Sequence, residues 1–218
     1  MLVALGSFAH KYYSLSKDDP MYITLAVSIL RLLSKITPEM LKIPKQLEYH
    51  ECECYTLYHE PTFTMSFFLM RKGHFMPLHD HPNMTVFFKL IKGEMLVNSY
   101  EVISNDPIIA KKISRVITPK SLYSGLKLDS QKNNLHSFYC ISDEAIFMDI
   151  IGPPYNETDR TCTYYQEVGE QSFQGSQTNL LPEEYDLGGK KILLNCYTQV
   201  ELGKVDMDYN VFSTIYQQ

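Results

Sequence analysis

Residues 73–93 read GHFMPLHDHPNMTVFFKLIKG, and His79-Asp80-His81 at their centre decides how the rest of the chain is read. Alternate residues of a β-strand point to one face, so an H-x-H on a strand puts both imidazoles on the same side of a sheet. Gly73 and Gly93 bracket the pair where turns are expected, and Pro77 and Pro82 lie beside it. Two imidazoles on one face point to a metal ion. To hold iron or zinc firmly they need at least one further ligand.

Glycine, five residues, H-x-H and then a strand closed by glycine resembles the first motif of the cupin barrel. The glutamate usual in that motif would fall at Thr85 or Val86, and neither side chain ligates a metal as a carboxylate does. A metal held by histidines alone is therefore expected. His10 and His50 lie outside the predicted barrel, His59 precedes Glu60-Pro61 as a turn residue, and His74 directly follows Gly73. His136 differs, because it opens the apolar segment LHSFYCI much later in the chain. That is where a ligand arriving on a neighbouring strand is expected; a hydrogen-bonded core histidine is the alternative.

The 218 residues suffice for one large domain with a sizeable core, and 44% hydrophobic with 21% charged residues is ordinary for a soluble globular protein. A net charge of −5 with four arginines argues against a nucleic-acid surface, which needs clustered cations. Five cysteines are an odd number without regular spacing, and only Cys52 and Cys54 lie close together. Reduced thiols are the expectation. Residues Met1–Phe8 are apolar but lack a basic start, and Met21–Leu33 is too short to span a bilayer and contains Arg31. The expected protein is a soluble, intracellular monomer with no membrane partner, cytoplasmic first and nuclear second.

Asp18-Asp19-Pro20 predicts a helix start, and Ile23, Ala26, Val27, Leu30, Leu33 and Ile36 follow at helical spacing. Thr37-Pro38-Glu39 predicts a second, short helix that Pro44 ends. Residues 1–53 thus read as a helical region packed outside a barrel, and 54–218 as the barrel with a C-terminal extension. Thr62–Met70, Thr85–Ile91, Glu94–Glu101, Ile108–Ile117, Leu135–Ile141, Ala145–Ile151 and Thr161–Val168 are the predicted strands. Gly169–Thr178 reads as a loop, and Lys191–Asn195 and Asn210–Tyr216 as edge strands. Short strands without helical periods between them predict a mainly β fold, an antiparallel sandwich or barrel.

Four blocks carry a closer resemblance: MPLHDHPNMTVFFKLIKGEMLVNSYE, then NLHSF, then FMDIIGPPY, then CTYY, in order between Phe63 and Gln166. They resemble the plant cysteine oxidase and cysteamine dioxygenase family, whose members are cupin-type jelly-roll thiol dioxygenases. The resemblance implies non-haem iron(II) held by His79, His81 and His136, and dioxygen adding both its atoms to a substrate thiol. Three neutral imidazoles on one face of Fe(II) leave about three open positions, enough for a thiolate, an adjacent amine and dioxygen. A ligand set without negative charge keeps the metal electrophilic and lowers the thiol pKa.

Asp149 sits among apolar residues in FMDII, and a carboxylate buried there needs a partner. The resemblance makes it an active-site group, bonded to His136 or to the substrate amine; the alternative is a strand-end aspartate receiving turn amides. Tyr155, in Gly152-Pro153-Pro154-Tyr155, matches a family tyrosine at the site, where a hydroxyl would donate to bound oxygen. Cys162 and Tyr164 match positions discussed for a cysteine–tyrosine crosslink; two unmodified core residues are the other reading. Asn83 stands where the family usually has glycine, and asparagine tolerates the left-handed conformation that turn needs.

The resemblance implies N-terminal cysteine of proteins as the substrate, with cysteamine second, and oxidation that marks a protein for degradation and so reports oxygen supply. Free cysteine calls for a cation to bind its carboxylate, usually arginine. Arg71 is the only arginine close to the motif, and with Gly73 and Pro77 intervening, strand parity does not tell whether it points inward. Free cysteine is accordingly expected to be a poor substrate. A non-catalytic cupin and a zinc enzyme are the competing classes.

Overall fold

The computed structural model describes residues 1–41, 43, 52–121, 125–129, 134–176, 183–187, 190–194 and 196–205. Two helices come first, α1 (Leu2–Tyr13) and α2 (Met21–Leu33), followed by a 3-10 turn at Pro38–Leu41. The strands are β1 (Cys52–His59), β2 (Thr64–Arg71), β3 (Phe75–His79), β4 (Thr85–Lys92), β5 (Met95–Asn105) and β6 (Ile108–Ile117). Then come β7 (Gly125–Asp129), β8 (Leu135–Cys140), β9 (Glu144–Gly152) and β10 (Tyr164–Ser176). β11 (Glu183–Leu187), β12 (Lys190–Leu194) and β13 (Cys196–Val205) complete the set. Among the described residues, no helix is long and apolar enough to cross a membrane.

The strands form a five-stranded sheet in the order β1-β2-β9-β4-β7 and a closed six-stranded barrel in the order β10-β13-β6-β5-β8-β3; β11 and β12 pair as a hairpin. Every strand pairing is antiparallel. Period-two alternation sorts the side chains into three cores. Phe67, Phe87, Met148 and Ile150 face outward from the open sheet and are covered by Leu5 of α1 and Ile29 of α2. The intervening residues Phe68, Phe88 and Phe147 face Val97, Ile117 and Phe138 of the barrel strands, across the space between the two layers. A third cluster, Leu78, Tyr100, Ala110, Leu135, Val200 and Leu202, is built from barrel strands alone. Burying each large side chain contributes roughly 1.5–3 kcal/mol.

The mainly β fold with helices outside is as the sequence predicts, and Ile108–Ile117 is a strand over the predicted residues. α2 begins at Met21, directly after Asp18-Asp19-Pro20 as predicted, and Asp19 Oδ1 accepts from the Met21 amide at 2.8 Å. Other expectations are corrected. Gly169–Thr178 is not a loop through Ser176: β10 runs to that residue, held by its ladder with β13. Its polar composition hid it, because ladder pairing can hold a strand that has no apolar alternation. The strand predicted from Thr161 begins at Tyr164, which leaves Cys162 in the segment before it. β12 covers Lys190–Leu194 and pairs with β11 rather than with the edge of a larger sheet. His59 is not a turn residue; it ends β1, paired with Thr64. α1, β1, β7, β11 and β13 were not predicted at all. His50, Pro44 and the strand expected at Asn210–Tyr216 lie outside the described residues.

Candidate metal centre

β3 ends at His79, so His81 reaches its place from beyond the strand rather than by simple alternation. Asp80 directs that bend. Its Oδ1 accepts from the Thr163 amide at 2.8 Å and its Oδ2 from the Tyr165 hydroxyl at 3.0 Å, tying the loop to the start of β10. The His81 amide donates to Asn134 Oδ1 at 2.8 Å, tying the same loop to the entry of β8. Asn83 then turns the chain back with φ 56°, the left-handed conformation foreseen for it. Gly73 (φ 81°) and Gly93 (φ 87°) supply the two flanking turns. At Gly93 a Cβ would lie 2.2 Å from the Glu144 carbonyl oxygen, so only glycine fits.

His136 pairs with His79 across β8 and β3, and Phe138 stacks on the His136 ring at 4.9 Å. The three imidazoles are 3–8% exposed, and one ligand atom from each lies within 4.8 Å of the others. His81 Nε2 and His136 Nε2 are 3.3 Å apart. Two nitrogens on one metal at about 2.0–2.1 Å are separated by roughly 3.0–3.4 Å, so the pair is set for a shared ion. Burial pushes the His79 pKa below the ordinary histidine range, and His81 further still, with His136 and His79 adding to the effect. Neutral imidazoles are the form that binds metal.

The tautomers follow from the partners. Pro77 O can only accept, so His79 Nδ1 carries the proton and donates to it at 2.8 Å, leaving Nε2 as ligand. The Tyr155 hydroxyl donates to Asp80 O at 2.8 Å and accepts from His81 Nδ1 at 2.5 Å, leaving His81 Nε2 as ligand. Tyr155 therefore stands behind His81 and orients it. The donation to oxygen expected from the resemblance is not the bond it makes here. Thr85 is buried in β4 and its carbonyl accepts from the Tyr13 hydroxyl at 2.9 Å; among the described residues no carboxylate joins the three histidines.

Asp149 shares its strand face with Phe147 and pairs in register with Ser66 and Phe88. It is buried, its Oδ1 has no hydrogen-bond partner, and desolvation pushes its pKa up to about 8. The turn amides of the alternative reading do not reach that oxygen. Cys162 is a free thiol in hydrogen-bond contact with the Tyr164 and Tyr155 side chains, and burial raises its pKa to about 11. Tyr164 pairs with His79 across β10 and β3. Cys52 and Cys54 are also free, pushed up to about 12 by burial, and far from acting as ready thiolates.

A cavity of about 110 Å³ opens beside His136, walled by Phe88, Leu126, Leu128 and Phe138, with Ser99 and Arg115 as its other polar side chains. Arg71 does not line it; its guanidinium meets Glu144 at 3.0 Å. Sequence reasoning missed two residues here. Asp80 was seen only as the spacer of H-x-H. Arg115 had an available signal, since Ile113, Arg115 and Ile117 alternate on one strand and Ile117 packs into the core between the layers.

Tyr155→Phe is expected to weaken metal binding about 10- to 100-fold, the usual loss for a partner that fixes a ligand's tautomer. Competitive metal titration of the variant against the unaltered protein measures this. Unchanged affinity would reduce Tyr155 to a packing residue.

Over 134 residues the chain is 29% identical to a probable 2-aminoethanethiol dioxygenase of Dictyostelium discoideum, covering 59% of this chain and 60% of that protein. Over 151 residues it is 30% identical to plant cysteine oxidase 1 of Arabidopsis thaliana, covering 66% and 48%. The chain thus spans about half to three fifths of the length of these curated relatives. Among solved structures, the Cupin_2 domain of an XRE family transcriptional regulator from Enterobacter cloacae aligns with 48% of this chain and 99% of its own. That alignment has 14% identity and a TM-score of 0.34. The family model described as PCO_ADO matches residues 30–209, well over half of the 218, and the chain belongs to that family.

Proposed function

We propose that this protein is an iron(II)-dependent thiol dioxygenase that converts the N-terminal cysteine of a protein to its sulfinic acid. Cysteamine is the second candidate substrate. The observation that carries the reading is the buried set of three histidines without a carboxylate. His79, His81 and His136 would hold the metal through Nε2, and burial keeps His79 and His81 neutral. Iron(II), when bound, would supply open coordination positions and the electron-transfer chemistry that joins a thiol to dioxygen. The balance is simple: both oxygen atoms end on sulfur, and no further reductant is consumed.

The chain's own groups do the rest. Phe88, Leu126, Leu128 and Phe138 give the cavity beside His136 a largely apolar wall. The unpartnered Oδ1 of Asp149 is available to accept a hydrogen bond from the substrate amine, and a buried carboxylate gains from such a donor. Tyr155 holds His81 in register. Family membership supports the same chemistry, and by resemblance the oxidised terminus would commit its protein to degradation when oxygen is plentiful. The cytoplasm is the compartment this reading needs.

The test is oxygen uptake with a cysteine-initiated peptide, alongside metal analysis of protein purified without added metal. The peptide should gain the mass of two oxygen atoms in an iron-dependent reaction. The same peptide with its α-amine acetylated should react at least tenfold more slowly, because an amide nitrogen is a poor ligand. Equal rates for the two would rule out chelation by thiolate and amine. Tightly bound zinc with no oxygen uptake would move the protein to the zinc class.

A further inference from the structure

Ladder register draws a polar line across the inner face of the open sheet. Phe88 of β4 pairs with Asp149 of β9, Asp149 with Ser66 of β2, and Ser66 with Thr56 of β1. Alternation puts them on the face that packs against the barrel strands, because Phe68, Phe88 and Phe147 lie in that core and Cys54 packs on it. Thr56 is exposed, since β1 is the outer strand of the sheet. Ser66 is 4% and Asp149 6% exposed. The line thus runs from solvent to a desolvated carboxyl in two steps, each one strand spacing of about 4.8 Å.

The first step is already bonded. Thr56 Oγ1 and Ser66 Oγ are 3.2 Å apart, and either can donate. The second step lies within one rotamer change. Directly opposed residues of an antiparallel pair have Cβ atoms about 4.5–5.5 Å apart, and a serine hydroxyl turns between staggered wells without moving the backbone. Turning from Thr56 toward Asp149 brings Ser66 Oγ to Oδ1, which has no hydrogen-bond partner among the described residues. On the other side Phe88 is apolar, and so is Phe147 along the strand. Cys54 and Tyr13 are near enough to feel the Asp149 charge, and burial raises the pKa of both, so they stay neutral. A hydroxyl accepts and donates at once, so it passes a proton on without taking a charge that burial would penalise.

We propose that Ser66 and Thr56 relay the Asp149 proton to solvent, across the sheet and away from the metal cavity. The inference rests on the proposed function for the source of that proton, the substrate amine. The amine arrives as an ammonium and must lose a proton before its nitrogen can act as a ligand. The Asp149 carboxylate takes it; the Asp149 pKa of about 8 matches the roughly 7.7–8.0 of an α-amine, so neither partner traps the proton. The proton then passes to Ser66 Oγ, as the Ser66 hydroxyl proton passes to Thr56 Oγ1 and the Thr56 proton to water. Asp149 is a carboxylate again, and one proton has gone from substrate to solvent with no other net change. Ser66 and Thr56 touch no reacting atom and act through Asp149.

The proton itself is the readout. The protein, held below the Asp149 pKa of about 8, is mixed rapidly into heavy water, and the shift of the Asp149 carboxyl band is followed by infrared difference spectroscopy. Asp149→Asn identifies the band. Ser66→Ala should slow the exchange roughly a hundredfold, the lower end of what positioned proton-transfer groups contribute. Thr56→Val should slow it too, its methyls shielding Ser66 from water, and Thr56→Ser should restore it. Cys54→Ala removes a neighbouring side chain but no hydroxyl, and should exchange like the unaltered protein. Unchanged exchange in Ser66→Ala or in Thr56→Val overturns the relay, and so does equal slowing in Cys54→Ala. In iron-loaded protein with a cysteine-initiated peptide, Ser66→Ala should lower kcat and enlarge its solvent isotope effect while KM and iron content hold. A lower kcat with an unaltered isotope effect overturns the use of the relay in turnover. Slowed exchange in a protein that oxidises no thiol would remove the dioxygenase reading and leave the relay standing.

Discussion

His136→Ala is expected to leave a folded protein that has lost tight iron binding and all measurable turnover. His136 is one of three ligands, and two histidines alone hold a divalent ion weakly. Losing a group that merely orients a ligand costs about 10- to 100-fold in affinity, and losing the ligand itself exceeds that. The fold should survive, because the cores on either side of the open sheet are built from Phe67, Phe87, Phe147 and their neighbours, with no part for the metal. Alanine also removes a buried polar ring that needs partners, which offsets part of the lost packing on Phe138. Metal content after dialysis, circular dichroism and oxygen uptake measure the three quantities separately. Full iron content with turnover retained would show that the third ligand is elsewhere. His79→Ala and His81→Ala should behave alike, which distinguishes loss of a shared ion from damage at one strand.

Much of this site was legible in the sequence because its elements are local or alternate simply. His79 and His81 are two residues apart, and His136 opens an alternating segment whose next members, Phe138 and Cys140, line the core. The tight turns at Gly73, Asn83 and Gly93 leave composition signals that a left-handed backbone demands. What stayed hidden depends on long-range pairing. Asp80 looks like a spacer until β10 returns to its carboxylate, 83 and 85 residues later. β10 itself is polar and is held by β13, so neither strand announces itself locally. Arg115 becomes part of the site only when β5 brings β6 beside β8. Proximity to the motif in sequence pointed to Arg71, whose side chain is paired with Glu144 instead.

Asp149→Asn should separate stability from function in opposite directions. Desolvation raises the Asp149 pKa to about 8, against about 3.9 for a free aspartate. Between those values the native chain holds the proton that the unfolded chain has released. Stability contributed by this group is therefore complete below about pH 4, falls as pH rises, and is lost once pH passes 8. Asparagine has nearly the same shape and no proton to lose. The metal-free variant should accordingly melt above the metal-free unaltered protein at pH 8, and the difference should shrink toward pH 4. Turnover should fall roughly 10- to 1,000-fold with iron retained, because a positioned carboxylate that receives the substrate amine would be gone. A residue kept for packing alone would show the first effect without the second. Wild-type turnover in the variant would thus return Asp149 to a structural role, and equal melting curves across the pH range would show that its carboxyl is not held protonated by burial. Natural selection for stability alone would have placed an apolar residue or an amide between Met148 and Ile150. A desolvated carboxyl two residues from Phe147, in register with Phe88 of the cavity beside His136, is a costly placement of the kind found at functional sites.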